Sequence, residues 1–139
     1  MVNKVFTDTN YFIALYNPTD SQYLKAKNVS NNLVDVEIII SNFIFLETVS
    51  VFSQRVGRKE AIDLGKHLLE DENIHLVHVD KELQDSAWEI FCEAKKKNTS
   101  FVDCSTVAIM KAEGIHHLLT FDREDFAPLL KKHHLNFWG

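Results

Sequence analysis

Glycine and proline are scarce, four and two in a chain of 139 residues. The glycines, Gly57, Gly65, Gly114 and Gly139, are scattered. That excludes the clustered glycine loops that cradle nucleotide phosphates. So little Gly and Pro also excludes collagen-like and low-complexity chains. Cysteine is reduced to Cys92 and Cys104, with no C-x-x-C and no zinc-ligand spacing, and both are expected as reduced thiols packed like small hydrophobes. The longest apolar runs, Ile38-Ile39-Ile40 and Phe43 to Leu46, fall far short of the roughly 20 residues that span a bilayer. Met1 to Asn10 has no basic stretch leading into an apolar one, so no secretory leader is expected. Positive charge is in deficit as well: 15 Lys and Arg face 20 Asp and Glu, for a net charge of −5. A plain electrostatic binder of DNA or membranes would be basic. The expectation is a soluble, cytoplasmic protein without a membrane partner.

What is present is ordinary for a globular chain, 45% hydrophobic and 25% charged residues. The length suits one domain, residues 1–139, large enough to bury a core without staples. Val2 to Thr7 reads as a strand and Asn10 to Leu15 as a short helix. Asp20 is a plausible N-cap for a helix reaching about Val34. Val36 to Ser41, with three isoleucines in a row, reads as a strand buried on both faces. Asn42 is placed as the cap of a helix carrying Phe45, Val49, Phe52 and Val56, and Arg58 to Asp71 as a second helix. Ile74 to Val79 alternates like a strand. After Asp80, Leu83, Ala87, Ile90, Phe91 and Ala94 repeat at helical spacing. Ser100 opens a helix ending at Gly114, Ile115 to Phe121 is a strand, Asp122 to Lys131 a helix and His134 to Trp138 a last strand. Strands alternating with helices predict a mostly parallel sheet covered on both faces, one α/β/α domain.

In an open parallel sheet, function gathers at the carboxyl ends of the strands. Four acids fall there: Asp8 after the first strand, Glu47 a turn into the helix after the second, Asp103 in the first turn of the helix from Ser100, and Asp122 after the fourth strand. Ser100-x-x-Asp103 also fits a capping box, and Asp8 and Asp122 fit helix caps or turns. Glu47 resists such a reading, because Phe43, Ile44 and Val51 share its helical face. A carboxylate on an apolar stripe is costly unless it is paired or bound to a cation. Two unit charges about 4 Å apart repel by roughly 4 kcal/mol at an effective dielectric near 20. Oxygen ligands alone favour Mg²⁺ or Mn²⁺ over zinc. Such ions hold a phosphate, activate water and stabilise a leaving oxygen.

Asp8-Thr9-Asn10, Glu47 within Ser41 to Glu47, Ser100-Phe101-Val102-Asp103 and Thr120-Phe121-Asp122-Arg123 occur in an order and at a chain length that resemble the PIN-domain nucleases, and most of all VapC-type toxins of toxin–antitoxin pairs. The resemblance spans nearly the whole chain. It implies a five-stranded parallel sheet and a Mg²⁺- or Mn²⁺-dependent endoribonuclease leaving a 5′-phosphate. It also implies a homodimer and an antitoxin partner. Asp8, Glu47 and Asp103 would be metal ligands and Asp122 a ligand or a group behind the ligands, supported by Asn10, Ser100 and Thr120. An extra acid, Asp125, stands before Phe126, so the fourth role falls to Asp122 or Asp125, with Asp122 favoured at the strand end.

Setting four acids against a bound cation leaves a formal charge of −1 from the original −5, so acidity does not exclude RNA. Candidates for phosphate contacts are Arg123, Lys95, Lys96 and Lys97, then Arg55, Arg58 and Lys59; the lysine run also suits a helix carboxyl end. The seven histidines do not suggest zinc, because His75 and His78, and the neighbours His116-His117 and His133-His134, diverge on strands. The aromatics Phe43, Phe45 and Phe52 suit a core rather than a base-stacking platform, with part of the stripe suited instead to a dimer face. Two other functions compete. A haloacid-dehalogenase-type phosphatase would need a second Asp where Asn10 stands. A non-catalytic PIN-like module binding RNA or protein would not need intact acids.

Overall fold

The computed structural model describes residues 3–139; Val2, expected to open the first strand, lies outside them. The elements run β1 (Lys4–Thr7), α1 (Thr9–Leu15), α2 (Tyr23–Ser30), β2 (Glu37–Ser41), α3 (Asn42–Arg55), α4 (Arg58–Glu70), β3 (Ile74–Val77), α5 (Lys81–Glu93), α6 (Phe101–Glu113), β4 (His117–Leu119), α7 (Arg123–Lys132) and β5 (Asn136–Phe137). The five strands form one parallel sheet in the order β3-β2-β1-β4-β5. Successive strand residues face opposite sides, yet Val5, Phe6 and Thr7 are each fully buried. Both faces are therefore covered. Helices α1 to α4 pack among themselves, as do α5 to α7. The result is the three-layer α/β/α architecture with a parallel five-stranded sheet that the sequence predicts.

Several boundaries differ from expectation, each for a local reason. Asp20 does not cap a helix. Its carboxylate accepts from the Gln22 N–H in a turn, and α2 begins at Tyr23 and stops at Ser30, short of Val34. Ser41, not Asn42, caps α3, its hydroxyl accepting from the Ile44 N–H at 3.1 Å. Asn42 instead accepts from the Val79 N–H at 2.7 Å and so ties the end of β3 to the start of α3. Strand β4 is confined to His117–Leu119, shorter than the expected Ile115 to Phe121, and pairs with β1 through Leu118 and Leu119 and with β5 through His117 and Leu118. Cys104 is buried as expected, but Cys92 is exposed on α5.

Close packing places the helices. Helix α4 packs on α3 at Gly65, where a Cβ would meet Val49 at 3.4 Å and the Phe45 ring at 3.7 Å, ordinary van der Waals contact. Phe52 lies fully in the core, while Phe45 packs against its edge. Gly114 ends α6 in the left-handed conformation, φ 67°, that closes helices without a Cβ penalty. Pro128 sits inside α7, where it cannot donate to the Glu124 carbonyl one turn earlier. The Lys96 ammonium takes that place, donating to Glu124 O at 2.8 Å and pairing with Asp125 at 3.3 Å.

Candidate active site

The chain proceeds from β1 outward to β2 and β3, then returns to the other side of β1 for β4 and β5. The switch point lies between β1 and β4, where open α/β sheets form their crevice. Asp8 stands there, its N–H bonded to Leu119 O at 2.9 Å. It follows the last residue of β1, and its extended backbone starts α1. The carboxylate is 7% exposed. It accepts from the Thr9 N–H at 2.8 Å, the Thr120 hydroxyl at 2.8 Å and the Asn10 amide at 3.4 Å. All three donors are neutral. The Asn10 amide also donates to the Thr120 hydroxyl at 3.2 Å, and its oxygen accepts from the Phe121 N–H at 3.0 Å. The Thr120 hydroxyl accepts from the Asp122 N–H at 3.0 Å. Asn10 and Thr120 thus lock the Asp8 side chain to the β4–α7 turn.

Asp103 is held by its own helix start. Ser100 and Asp103 exchange bonds, Asp103 N–H to the Ser100 hydroxyl at 3.0 Å and Ser100 N–H to the Asp103 carboxylate at 3.2 Å. This is the capping box read from the sequence. The cap does not hide the carboxylate, which still lines the same notch as Asp8. Glu47, Asp122, Asn10 and Ser100 line it too, with Asp20, Asn98, Arg55, Asp125 and the apolar Ile13 and Val51. Its volume is about 560 Å³. Thr120 lies just behind this wall, buried.

Electrostatics mark the notch as short of cations. Burial pushes Asp8 up to about 7, against the opposing hydrogen bonds from Thr120 and Thr9, and the charges of Asp103 and Glu47 push it further. Burial likewise pushes Asp103 up to about 6, opposed by Ser100, with Asp122 and Glu47 adding repulsion. Carboxylates raised in this way by burial and by one another ask for a positive charge. The donor set is oxygen only, which fits a hard divalent cation. Among the described residues, no three His, Cys, Asp or Glu side chains already converge as a metal-holding group. Glu47 and Asp122 enter no ion pair or hydrogen bond through their carboxylates among the described residues. Asp125 lines the notch too, but Lys96 holds it.

The basic residues read from the sequence divide. Arg123 is turned away, donating to Trp138 O at 2.7 Å and Gly139 O at 3.0 Å and lying over the Phe137 ring. It fastens the C-terminal segment. Lys96 replaces the donor that Pro128 lacks. Lys95 and Lys97 are exposed in the segment after α5, and none of these four lines the notch. The lysines lie beyond the last turn of α5 and do not cap it. Sequence reading placed no function on Asn98 or on the Asp20 to Gln22 turn. Both reach the notch through loop geometry, for which residue periodicity gives no signal.

The family model described as "PIN domain" matches residues 5–129. The chain is similar to the 23S rRNA-specific endonuclease VapC20 of Mycobacterium tuberculosis, 29% identical over 118 residues, which cover 85% of this chain and 88% of that protein. The crystal structure of VapC20, described as a sarcin–ricin loop cleaving toxin, superposes with a TM-score of 0.81 at 27% identity over 89% of this chain and 94% of that one. A toxin–antitoxin complex from Klebsiella pneumoniae shares the fold, with a TM-score of 0.64 at 15% identity over 88% and 90% of the two chains.

Proposed function

The chain belongs to the PIN-domain family, and from that premise we propose that it is a metal-dependent endoribonuclease, the toxin of a type II toxin–antitoxin pair, acting on RNA in the cytoplasm. One observation carries the reading: Asp8, Glu47, Asp103 and Asp122, from four separate segments, share one notch at the switch point of the sheet, and among the described residues no Lys, Arg or His pairs with any of them. Asp8, Glu47 and Asp103 would hold Mg²⁺ or Mn²⁺, with Asp122 the fourth acid rather than the Lys96-bound Asp125. The bound ion supplies activation of water and stabilisation of charge on the phosphate. Asn10 and Thr120 keep the Asp8 oxygens aimed, and Ser100 fixes the Asp103 backbone at the start of α6. Asn10 has no proton to exchange and is locked on the Phe121 N–H, which disfavours an aspartyl-phosphate mechanism. A binding module would gain nothing from burying Asp8 at such electrostatic cost, which disfavours the non-catalytic reading.

The likeness to VapC20 supports a structured loop of 23S rRNA as substrate. A hairpin carrying the sarcin–ricin loop, incubated with the protein, is expected to be cut in Mn²⁺ or Mg²⁺ and to stay whole in EDTA. Intact hairpin and intact total RNA after long incubation in Mn²⁺ would overturn the assignment. The fold shared with a toxin–antitoxin complex supports a second, neutralising protein.

We further propose that the chain is a homodimer joined through α5 and the start of α6. Trp88 and Phe91 are 57% and 38% exposed there. Their rings stack at 5.9 Å, and Phe101 closes the cluster at 5.8 Å from Phe91 and 6.4 Å from Trp88. Exposed aromatic groups of this kind mark interfaces. Sedimentation should give twice the chain mass for the wild type and the monomer mass for Trp88→Glu/Phe91→Glu; a wild-type monomer excludes the dimer, and a dimer that survives the double change places its interface elsewhere.

A further inference from the structure

Among the side chains lining the notch there is one cation, Arg55. It lies in the last turn of α3, eight residues after Glu47. Glu47, Val51 and Arg55 are spaced i, i+4, i+8 and so share one face of the helix, and all three line the notch. Eight residues advance about 12 Å along a helix axis. Along α3 the wall of the notch therefore runs from the acidic Glu47 past the apolar Val51 to the basic Arg55.

Arg55 is exposed and, among the described residues, makes no hydrogen bond or ion pair. This sets it apart from its neighbours. Arg123 is spent on the C-terminal carbonyls and Lys96 on Asp125 and Glu124. A guanidinium left unpaired in a groove rich in carboxylates is available for an anion that arrives with the substrate. Its planar fork suits a phosphate.

We propose that Arg55 binds a phosphate of the RNA that flanks the cleaved one, so that the strand lies along α3 from Glu47 to Arg55. This rests on the ribonuclease reading above. Arg55 positions the strand and does not touch the reacting phosphorus. As a cation it leaves metal binding to the acids. An arginine in the last turn of a helix also complements the helix dipole, and the experiment separates that role from phosphate binding.

The test uses the whole protein and a fluorescein-labelled sarcin–ricin hairpin RNA, with binding followed by anisotropy in EDTA over a range of salt. Wild-type cleavage of the same hairpin in Mn²⁺ is measured first. Arg55→Ala is expected to weaken binding about tenfold and to flatten the dependence of log K on log salt by about 0.7 to 0.9, the value of one phosphate contact. Arg55→Lys should keep the slope. Mn²⁺ affinity by calorimetry should not fall in either variant. Hairpins with a single neutral methylphosphonate beside the cut site should bind more weakly to the wild type at one position, and Arg55→Ala should show no further loss there. Unchanged affinity and slope in Arg55→Ala, with the wild type cutting the hairpin, would overturn the proposal. So would a lowered melting temperature with no position-specific phosphate effect, the mark of a helix-end role. Failure of the wild type to cut either the hairpin or total RNA in Mn²⁺ would remove the ribonuclease reading itself.

Discussion

Asp8→Asn is expected to lower RNA cleavage on the order of a thousandfold or more while leaving the melting temperature of the metal-free protein at pH 8 undiminished. The first half follows from charge. Loss of one ligand to a divalent ion that stabilises a phosphate in the transition state costs several kcal/mol, and each 1.36 kcal/mol is about tenfold in rate. The second half follows from the hydrogen bonds. The new amide has the shape of the old carboxylate, and its oxygen can still accept from the Thr9 N–H, now 2.8 Å away. Its nitrogen takes the place of the oxygen to which the Thr120 hydroxyl donates at 2.8 Å, so that bond is lost, because the hydroxyl already accepts from the Asn10 amide and the Asp122 N–H. Asn10 loses a long contact of 3.4 Å but keeps Thr120 at 3.2 Å. Against these losses, a buried charge without a cation disappears. Cleavage gels and thermal melts on the same preparation check both halves. Cleavage within a few fold of wild type would remove Asp8 from the chemistry. A drop of many degrees would mean that its charge holds the fold together. Glu47→Gln should match the loss of cleavage, because Glu47 lines the same notch with a carboxylate that nothing else uses.

Much of this was legible in the sequence, and the reasons are particular. The Ile38 to Ile40 run could only be a strand covered on both faces, and it is buried throughout. The Ser100–Asp103 spacing announced a capping box, and the box is there. What the spacing could not say is that a cap and a site residue can be one side chain: the backbone N–H uses part of the Asp103 carboxylate, and the remainder faces the notch. Glu47 stood out because its helix neighbours are apolar, and its face of α3 proves to be the groove wall. The basic residues were harder to read. Lys96 and Arg123 look like free cations in sequence. Their partners are a carbonyl that Pro128 leaves without a donor and the carbonyls of the chain end, both set by tertiary contacts. The start and length of α2 were hard to read for a similar reason. Asp20 has the composition of an N-cap, yet its side chain closes a turn two residues on, and Asx turns and caps share the same residue types.

The metal-free protein is expected to lose stability as pH rises from about 4 to about 7, and Mn²⁺ to restore it only at the upper end. Asp8 titrates near 7 in the folded chain, against 3.8 as its ordinary value, chiefly because it is buried. Between those values the folded protein holds a proton that the unfolded chain has released. Unfolding then releases a proton, so it becomes easier as pH rises. The contribution is complete below about 4, fades across the interval and is gone above 7. Asp103, raised to about 6 for the same first reason, adds in the lower part of the interval. At 1.36 kcal/mol per unit of displacement, Asp8 alone accounts for a few kcal/mol, or on the order of 10 °C in melting temperature for a chain of this size. A divalent ion competes with those protons. At pH 8 it meets ionised acids and stabilises the folded state by about 2.7 kcal/mol when present at a hundred times its dissociation constant. At pH 5 the acids are largely protonated, and the same concentration should change little. Cleavage in Mn²⁺ should also climb with pH as Asp103 and Asp8 give up their protons to the ion, with midpoints below the metal-free values of about 6 and 7. Melting curves at pH 4 to 8, with and without Mn²⁺, test the linkage directly. Asp8→Asn should flatten the metal-free curve and reduce the Mn²⁺ effect together, because one carboxylate underlies both. A melting temperature independent of pH, or an Mn²⁺ effect as large at pH 5 as at pH 8, would mean that the buried acids are not where the ion binds.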